Sequence, residues 1–134
     1  MKPSDIKKAV KKQFPSLRTW KPFVETVFCF DTDYHVPEFQ EMREVIDRAW
    51  SEVGKISYRE LVADCDDFAL WMNAEVRVIR ALSDAKLPYA FGEAVGMAPN
   101  GMHAFNIFLA DRIYISDYGR IEPVENYKPV WVRF

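Results

Sequence analysis

The chain has 134 residues, of which 49% are hydrophobic and 15% aromatic, and these values suit one globular domain with a substantial core. Its 18 basic and 20 acidic side chains give a net charge of −2, which excludes a bulk attraction to nucleic acid or to an anionic membrane. No apolar run approaches the length of a membrane span, and the first residues lack the apolar stretch of a signal peptide. We therefore expect a cytoplasmic protein.

The first half of the chain predicts two helices separated by an extended segment. Ser4 can cap a first helix that ends near Phe14. The β-branched and aromatic run over residues 24–30 predicts an extended segment. A second helix follows, with Pro37 as its first residue and Gly54 at its end.

A third helix is predicted from near Asp64, its N-cap, to about Leu82. Asp66 and Asp67 fall in its first turn, where carboxylates interact favourably with the helix dipole. Cys65 falls on the inward apolar stripe of the same turn. Free backbone N–H groups at that position favour the thiolate, while the neighbouring aspartates oppose it, so the sequence leaves the net effect open.

The second half of the chain predicts strands. Alternating or apolar runs cover residues 89–97, 102–109, 112–117 and 130–134, and a strong turn signal lies at residues 98–101. Helices followed by an antiparallel meander define an α+β fold. We expect a single domain over residues 1–134.

His103 and Asp117 are predicted to meet on two neighbouring strands. Side chains alternate between the two faces of a strand, so His103 shares a face with Phe105 and Ile107. The register that puts all apolar partners on one face pairs Ile107 with Ile113, Phe105 with Ile115 and His103 with Asp117, around a loop at residues 109–111. Directly opposed Cβ atoms are ~5 Å apart, which permits an imidazole–carboxylate hydrogen bond.

The third helix is predicted to cover this face of the sheet. If its first turn lies at the His103 end, the Cys65 thiol reaches the imidazole. The thiolate can then attack an acyl carbon, His103 can hold and donate the proton, and Asp117 can orient the imidazole.

Three motifs carry a family resemblance: Cys65-Asp66-Asp67-Phe68-Ala69, His103-Ala104-Phe105-Asn106 and Ile115-Ser116-Asp117. In this order and spacing they resemble the motifs of transglutaminase-like cysteine peptidases. The chain is also similar to the papain-like C-terminal domain of a mushroom galactose-binding agglutinin and its phage- and bacteria-borne relatives. The resemblance covers residues 31–124, and residues 1–30 form an extension without a recognised counterpart.

The resemblance implies a papain-like half-barrel, with N-terminal helices on the meander, that hydrolyses peptide or related amide bonds. It also implies a calcium dependence, with Asp66 and Asp67 as local ligands and Asp31 and Asp33 as more distant ones; the sequence itself requires no cofactor. A phage origin would place the protein in a virion or a host cytoplasm.

The sequence departs from papain at the oxyanion-hole glutamine, because residues 58–60 are Tyr-Arg-Glu. The backbone N–H of Cys65 would then need a second donor, for which Tyr34 and Trp20 are candidates, with Asn106 as a supporting residue.

Each site residue has a plainer alternative: Cys65 as a buried thiol, His103 as a core histidine and Asp117 as a turn residue. The functional alternatives are a hydrolase acting on a peptide or protein, an amine acyltransferase with the same triad, and a catalytically inactive binding module on the same fold, such as a phage accessory or carbohydrate-associated protein. The sequence leaves the oligomeric state open.

Overall fold

The computed structural model describes residues 1–18, 24–59 and 63–134. The three α-helices are α1 (Pro3–Gln13), α2 (Phe39–Val53) and α3 (Cys65–Ala81). The six strands are β1 (Val27–Phe28), β2 (Phe91–Ala98), β3 (Gly101–Leu109), β4 (Ile113–Asp117), β5 (Arg120–Glu122) and β6 (Lys128–Arg133). The predicted α+β class is confirmed.

The strands form one sheet in the order β1-β6-β2-β3-β4-β5. Strands β2, β3 and β4 form the predicted antiparallel meander, and it continues into β5, which the sequence analysis did not predict. Strand β6 returns to pair with the free edge of β2. The extended segment expected at residues 24–30 contains only a two-residue strand, which pairs in parallel with β6 through Val27 and Val132.

One face of the sheet is covered by α1. The buried side chains Ile6 and Val10 of this helix belong to the same core as Phe105 and Ile107 of β3. The expectation that the third helix covers this face is therefore wrong.

The opposite face of the sheet is covered by α2 and α3. Phe68 and Met72 of α3 share a core with Phe108. Asn106, which points to the same side, donates hydrogen bonds from its amide nitrogen to the carbonyl oxygens of Ala69 (2.8 Å) and Gly92 (3.1 Å). The carboxamide thus ties the second turn of α3 to the sheet. No helix in the described part of the chain has both the length and the apolar character to cross a bilayer.

The β3–β4 register differs by two residues from the prediction. Ile107 lies opposite Ile115, and Leu109 lies opposite Ile113, around a loop at residues 110–112. A shift of two residues keeps every side chain on its predicted face, so alternation alone could not exclude it. His103 is consequently not directly opposite Asp117.

Candidate active site

The side chains of His103 and Asp117 lie within hydrogen-bond distance of each other in spite of the shifted register. The Nε2 atom of His103 lies 2.8 Å from Oδ1 and 3.0 Å from Oδ2 of Asp117. Their side chains are 19% and 16% exposed, so water screens the contact only partly. Because Nε2 is used by the carboxylate, Nδ1 is the nitrogen left to exchange a proton with another group.

Asp117 has a second partner that the sequence analysis missed. The hydroxyl of Tyr127 donates a 2.9 Å hydrogen bond to Oδ2 of Asp117. Burial, together with this carboxylate, raises the pKa of Tyr127, so the phenol stays protonated and remains a donor. Tyr127 follows a short 3₁₀ turn outside all three motifs, and nothing local in the sequence marks it.

Cys65 is the first residue of α3, as predicted. The N-cap is Asp64, whose backbone N–H donates a 3.3 Å hydrogen bond to the carboxylate of Asp67. This reciprocal cap fixes where the helix begins, and so places the Cys65 thiol at the end whose N–H groups carry partial positive charge. Both Cys65 and Cys29 are free thiols.

The thiol and the His103–Asp117 pair come from opposite faces of the sheet and approach the same region, where the β3–β4 pairing ends. The β3–β4 pairing ends at Asn106 and Ser116, so β3 continues towards its start without β4 beside it. A narrow cavity opens here, lined from both faces by Cys65, Phe68, Ala69, Met72, Ala104, Phe105, Asn106, Asp117 and Tyr118. The structure therefore brings Cys65 to the same cavity as Asp117.

His103 lines a second, larger cavity of about 590 Å³. Asp117 and Tyr118 line both cavities and form the boundary between them. Within the described part of the chain, the Cys65 thiol makes no hydrogen bond to the His103 ring. Cys65, His103 and Asp117 thus lie around the boundary between the two cavities. Among these three residues, a hydrogen-bond contact joins His103 and Asp117.

Tyr118 is the other residue that the sequence analysis did not assign to the site. Its ring centroid lies 5.5 Å from that of His103 and 5.4 Å from that of Phe68. Burial, and then the negative charge of a Cys65 thiolate, raise the pKa of Tyr118 to about 12. In the sequence, the glycine that follows Tyr118 favours a turn after Asp117 and is the one local indication of its position.

The predicted oxyanion donors are not brought to Cys65. The hydroxyl of Tyr34 accepts hydrogen bonds from the backbone N–H groups of Phe30 and Asp31 in the core beneath α1, and Tyr34 lines neither cavity. Trp20 lies outside the described residues. The Asn106 carboxamide lines the Cys65 cavity, but its amide is committed to two backbone carbonyls, so its support is structural.

Asp64, Cys65 and Asp66 place potential metal ligands within 4.8 Å of one another. A hydrogen bond with the Asp64 carboxyl raises the pKa of Asp66, as expected where two carboxyls compete for one proton or cation. Calcium requires six to eight oxygen ligands, however, and a thiolate is too soft for it. Asp67 caps the helix, and the more distant candidates Asp31 and Asp33 pair with cationic side chains. The described residues therefore do not form a complete calcium site.

Comparison with known proteins identifies the fold. No family model and no curated protein matches the sequence. A solved structure described as a complex of PSL1a with E64 aligns over 100% of this chain and 51% of its own, with a TM-score of 0.78 and 21% identity. A Polyporus squamosus lectin bound to the human-type influenza-binding epitope Neu5Acα2-6Galβ1-4GlcNAc aligns over 96% of this chain and 48% of its own, with a TM-score of 0.70 and 19% identity.

These similarities establish that the chain has the fold of part of the mushroom lectin structures. At the level of the fold, the comparisons support the resemblance to a mushroom lectin that the motifs indicated. The chain spans about half the length of each of these two structures.

Proposed function

We propose that the chain is a cysteine hydrolase that cleaves an amide or ester bond through Cys65, His103 and Asp117. The observation that carries this proposal is the His103–Asp117 contact of 2.8 Å at the boundary of the cavity that holds the Cys65 thiol. A carboxylate held by a second donor, an imidazole with one nitrogen free, and a thiol at a helix N-terminus supply the groups that acyl transfer needs.

In the proposed reaction, His103 accepts the thiol proton and the sulfur of Cys65 attacks the carbonyl carbon of the substrate. The bond to the leaving group breaks as His103 returns the proton to the departing nitrogen or oxygen, which leaves a thioester on Cys65. Water then attacks the thioester, His103 accepts a proton from that water, and the acid is released with regeneration of the thiol. Asp117 keeps the proton of His103 on Nε2 throughout.

A second candidate is a carbohydrate-binding module that makes no use of the thiol. The comparisons favour this candidate over catalysis, because one of the similar structures is described as a lectin and holds a sialylated trisaccharide. One feature of this chain supports it as well: Phe30 is 70% exposed beside a cavity of about 380 Å³ whose wall includes Arg77 and the buried Asn73. An exposed aromatic ring beside polar side chains suits the apolar face and the hydroxyl groups of a sugar.

Hydrolysis of p-nitrophenyl acetate tests the first candidate. We expect turnover that Cys65→Ser abolishes and that His103→Ala lowers by about 10²-fold or more, the usual contribution of a general base. E64 provides a second probe, because its epoxide can be opened by a thiolate. Mass spectrometry should find the adduct on Cys65 and not on Cys29, because burial raises the pKa of the Cys29 thiol and so disfavours its thiolate.

Titration calorimetry with the trisaccharide Neu5Acα2-6Galβ1-4GlcNAc tests the second candidate. Binding that Phe30→Ala abolishes, together with no hydrolysis and equal labelling of both cysteines by iodoacetamide, would establish the binding module and reject the hydrolase. Hydrolysis that depends on Cys65, without sugar binding, would reject the module.

A further inference from the structure

The space between the Cys65 thiol and the His103 ring is closed in this structure. The cavity at Cys65 is too narrow to hold a water molecule, whereas the adjoining His103 cavity has a volume of about 590 Å³. Tyr118 lines both of them. An acyl group that has to contact the sulfur and the imidazole at the same time therefore requires Tyr118 to move.

The backbone at Tyr118 is unusual for a bulky residue. Tyr118 and Gly119 are the two central residues of the β4–β5 hairpin, between the paired Asp117 and Arg120, and their φ angles are +46° and +74°. Two positive φ angles define a type I′ turn, whose first position normally holds asparagine, aspartate or glycine. A tyrosine is disfavoured there, so its presence indicates that the position of its ring matters.

Aromatic packing holds the Tyr118 ring in place. Phe68 and Trp50 contact it edge-on, with centroids 5.4 Å and 6.1 Å away, and the His103 ring lies 5.5 Å away. The Tyr118 hydroxyl donates no hydrogen bond to any described residue that would fix it there. The ring, and not the hydroxyl, therefore determines this conformation.

We propose that the Tyr118 ring is a gate that separates Cys65 from His103 and that turns into the larger cavity when an acyl substrate enters. The proposal rests on the hydrolase function proposed above, because the gate controls whether its nucleophile and base can meet. Tyr118 is thus a positioning residue that acts through Cys65 and His103. A tyrosine phenol is uncharged at neutral pH, so the ring can turn without moving a charge.

The rate at which iodoacetamide alkylates Cys65 tests the gate, with Cys29 as the control thiol in the same chain. Tyr118→Asn removes the ring but keeps a residue that accepts a positive φ, whereas Tyr118→Phe removes only the hydroxyl. Because open minor states commonly have populations of ~0.1–10%, Tyr118→Asn should accelerate alkylation of Cys65 by about tenfold or more. Alkylation of Cys29 should not change, and Tyr118→Phe should behave as the unmodified protein.

Other outcomes would overturn the gate. The first is an unchanged rate of Cys65 alkylation in Tyr118→Asn, and the second is an equal acceleration of that alkylation in Tyr118→Phe. The third is a loss of p-nitrophenyl acetate turnover in Tyr118→Phe, which would assign the hydroxyl a catalytic role instead. If Tyr118→Asn accelerates the alkylation of Cys29 as much as that of Cys65, Tyr118→Gly is measured in its place. The same result in Tyr118→Gly would show that the ring stabilises the fold and does not act as a gate.

A second pair of variants separates failure of the gate from failure of the hydrolase. With the gate open, His103→Ala in the Tyr118→Asn background should lower the Cys65 rate and change its dependence on pH, because the imidazole then reaches the thiol. If His103→Ala has no effect while Tyr118→Asn still exposes Cys65, the gate stands and the hydrolase proposal fails.

Discussion

Removing the hydroxyl of Tyr127 tests how much its hydrogen bond to Asp117 stabilises the folded protein. Tyr127→Phe deletes the 2.9 Å hydrogen bond to Asp117 but keeps the ring and its packing against Phe105, at a centroid distance of 4.7 Å. A hydrogen bond to a charged group contributes about 1.5–3 kcal/mol, and Tyr127 is only 5% exposed. We therefore expect the free energy of unfolding to fall by about that amount.

The chain contains a matched control for this substitution. The hydroxyl of Tyr114 also donates a 2.9 Å hydrogen bond to an aspartate, Asp111, but on the surface. Tyr114→Phe should change stability by less than about 0.5 kcal/mol, as is usual for exposed positions. Urea unfolding followed by tryptophan fluorescence measures both variants, and the slope of free energy against urea should be the same for each.

The pH dependence of the Tyr127→Phe difference gives a further check. The pKa of Tyr127 is raised in the folded protein above its ordinary value of 10.0, so the folded state retains this proton longer than the unfolded chain does. Its stabilising effect is complete below about pH 10 and is lost as the pH rises towards the folded pKa. Equal costs for Tyr127→Phe and Tyr114→Phe, or a Tyr127→Phe cost that does not shrink above pH 10, would refute this explanation.

Two further predictions concern the stability of the hairpin and of the α1 face. Gly119→Ala should destabilise the folded protein by more than the ~1–2 kcal/mol that a positive φ costs, because its Cβ would overlap the Trp50 ring. Thermal unfolding measures this loss, and Gly101→Ala is the control because Gly101 has a positive φ but open space around it. Burial would raise the pKa of Glu25, but hydrogen bonds from Lys11 and other donors outweigh it and lower the pKa to about 2. Glu25 should therefore stabilise the fold above pH ~4.5 and lose this effect as the pH falls through about 2. Because the Glu25 side chain is 36% exposed, Glu25→Gln should cost under ~1 kcal/mol at neutral pH, and acid unfolding should show this cost shrinking as the pH falls through that range.

The elements that local chemistry determines were predictable from the sequence. The start of α3 follows from Asp64 as N-cap and the acidic first turn, and both features place Cys65 at the first helical position. The pairing of β2 with β3 follows from the strong turn signal at residues 98–101 between two apolar runs. By contrast, β1 pairs with residues more than a hundred positions away, and a two-residue strand leaves no periodic pattern to detect.

The sequence could not predict which helix covers which face of the sheet, because both faces of β3 are buried. Phe105 and Ile107 lie under α1, while Ala104 and Phe108 lie under α2 and α3. Alternation distinguishes a core face from a solvent face, but it does not state which helix covers which core. The prediction therefore grouped His103 and Asp117 correctly and assigned them the wrong covering helix.

The error in register and the existence of the cavity have the same structural cause. Had β3 and β4 paired as predicted, with His103 directly opposite Asp117, the ladder would have run to the ends of both strands. A continuous sheet would then separate the α3 face, which carries Cys65, from the α1 face, which carries the imidazole and the carboxylate. The observed ladder stops at Asn106 and Ser116, so the first residues of β3 have no β4 partner, and Cys65 and Asp117 line one cavity beside them. The two-residue shift therefore leaves residues 101–105 of β3 without a β4 partner, and Tyr118 lines both of the cavities found there.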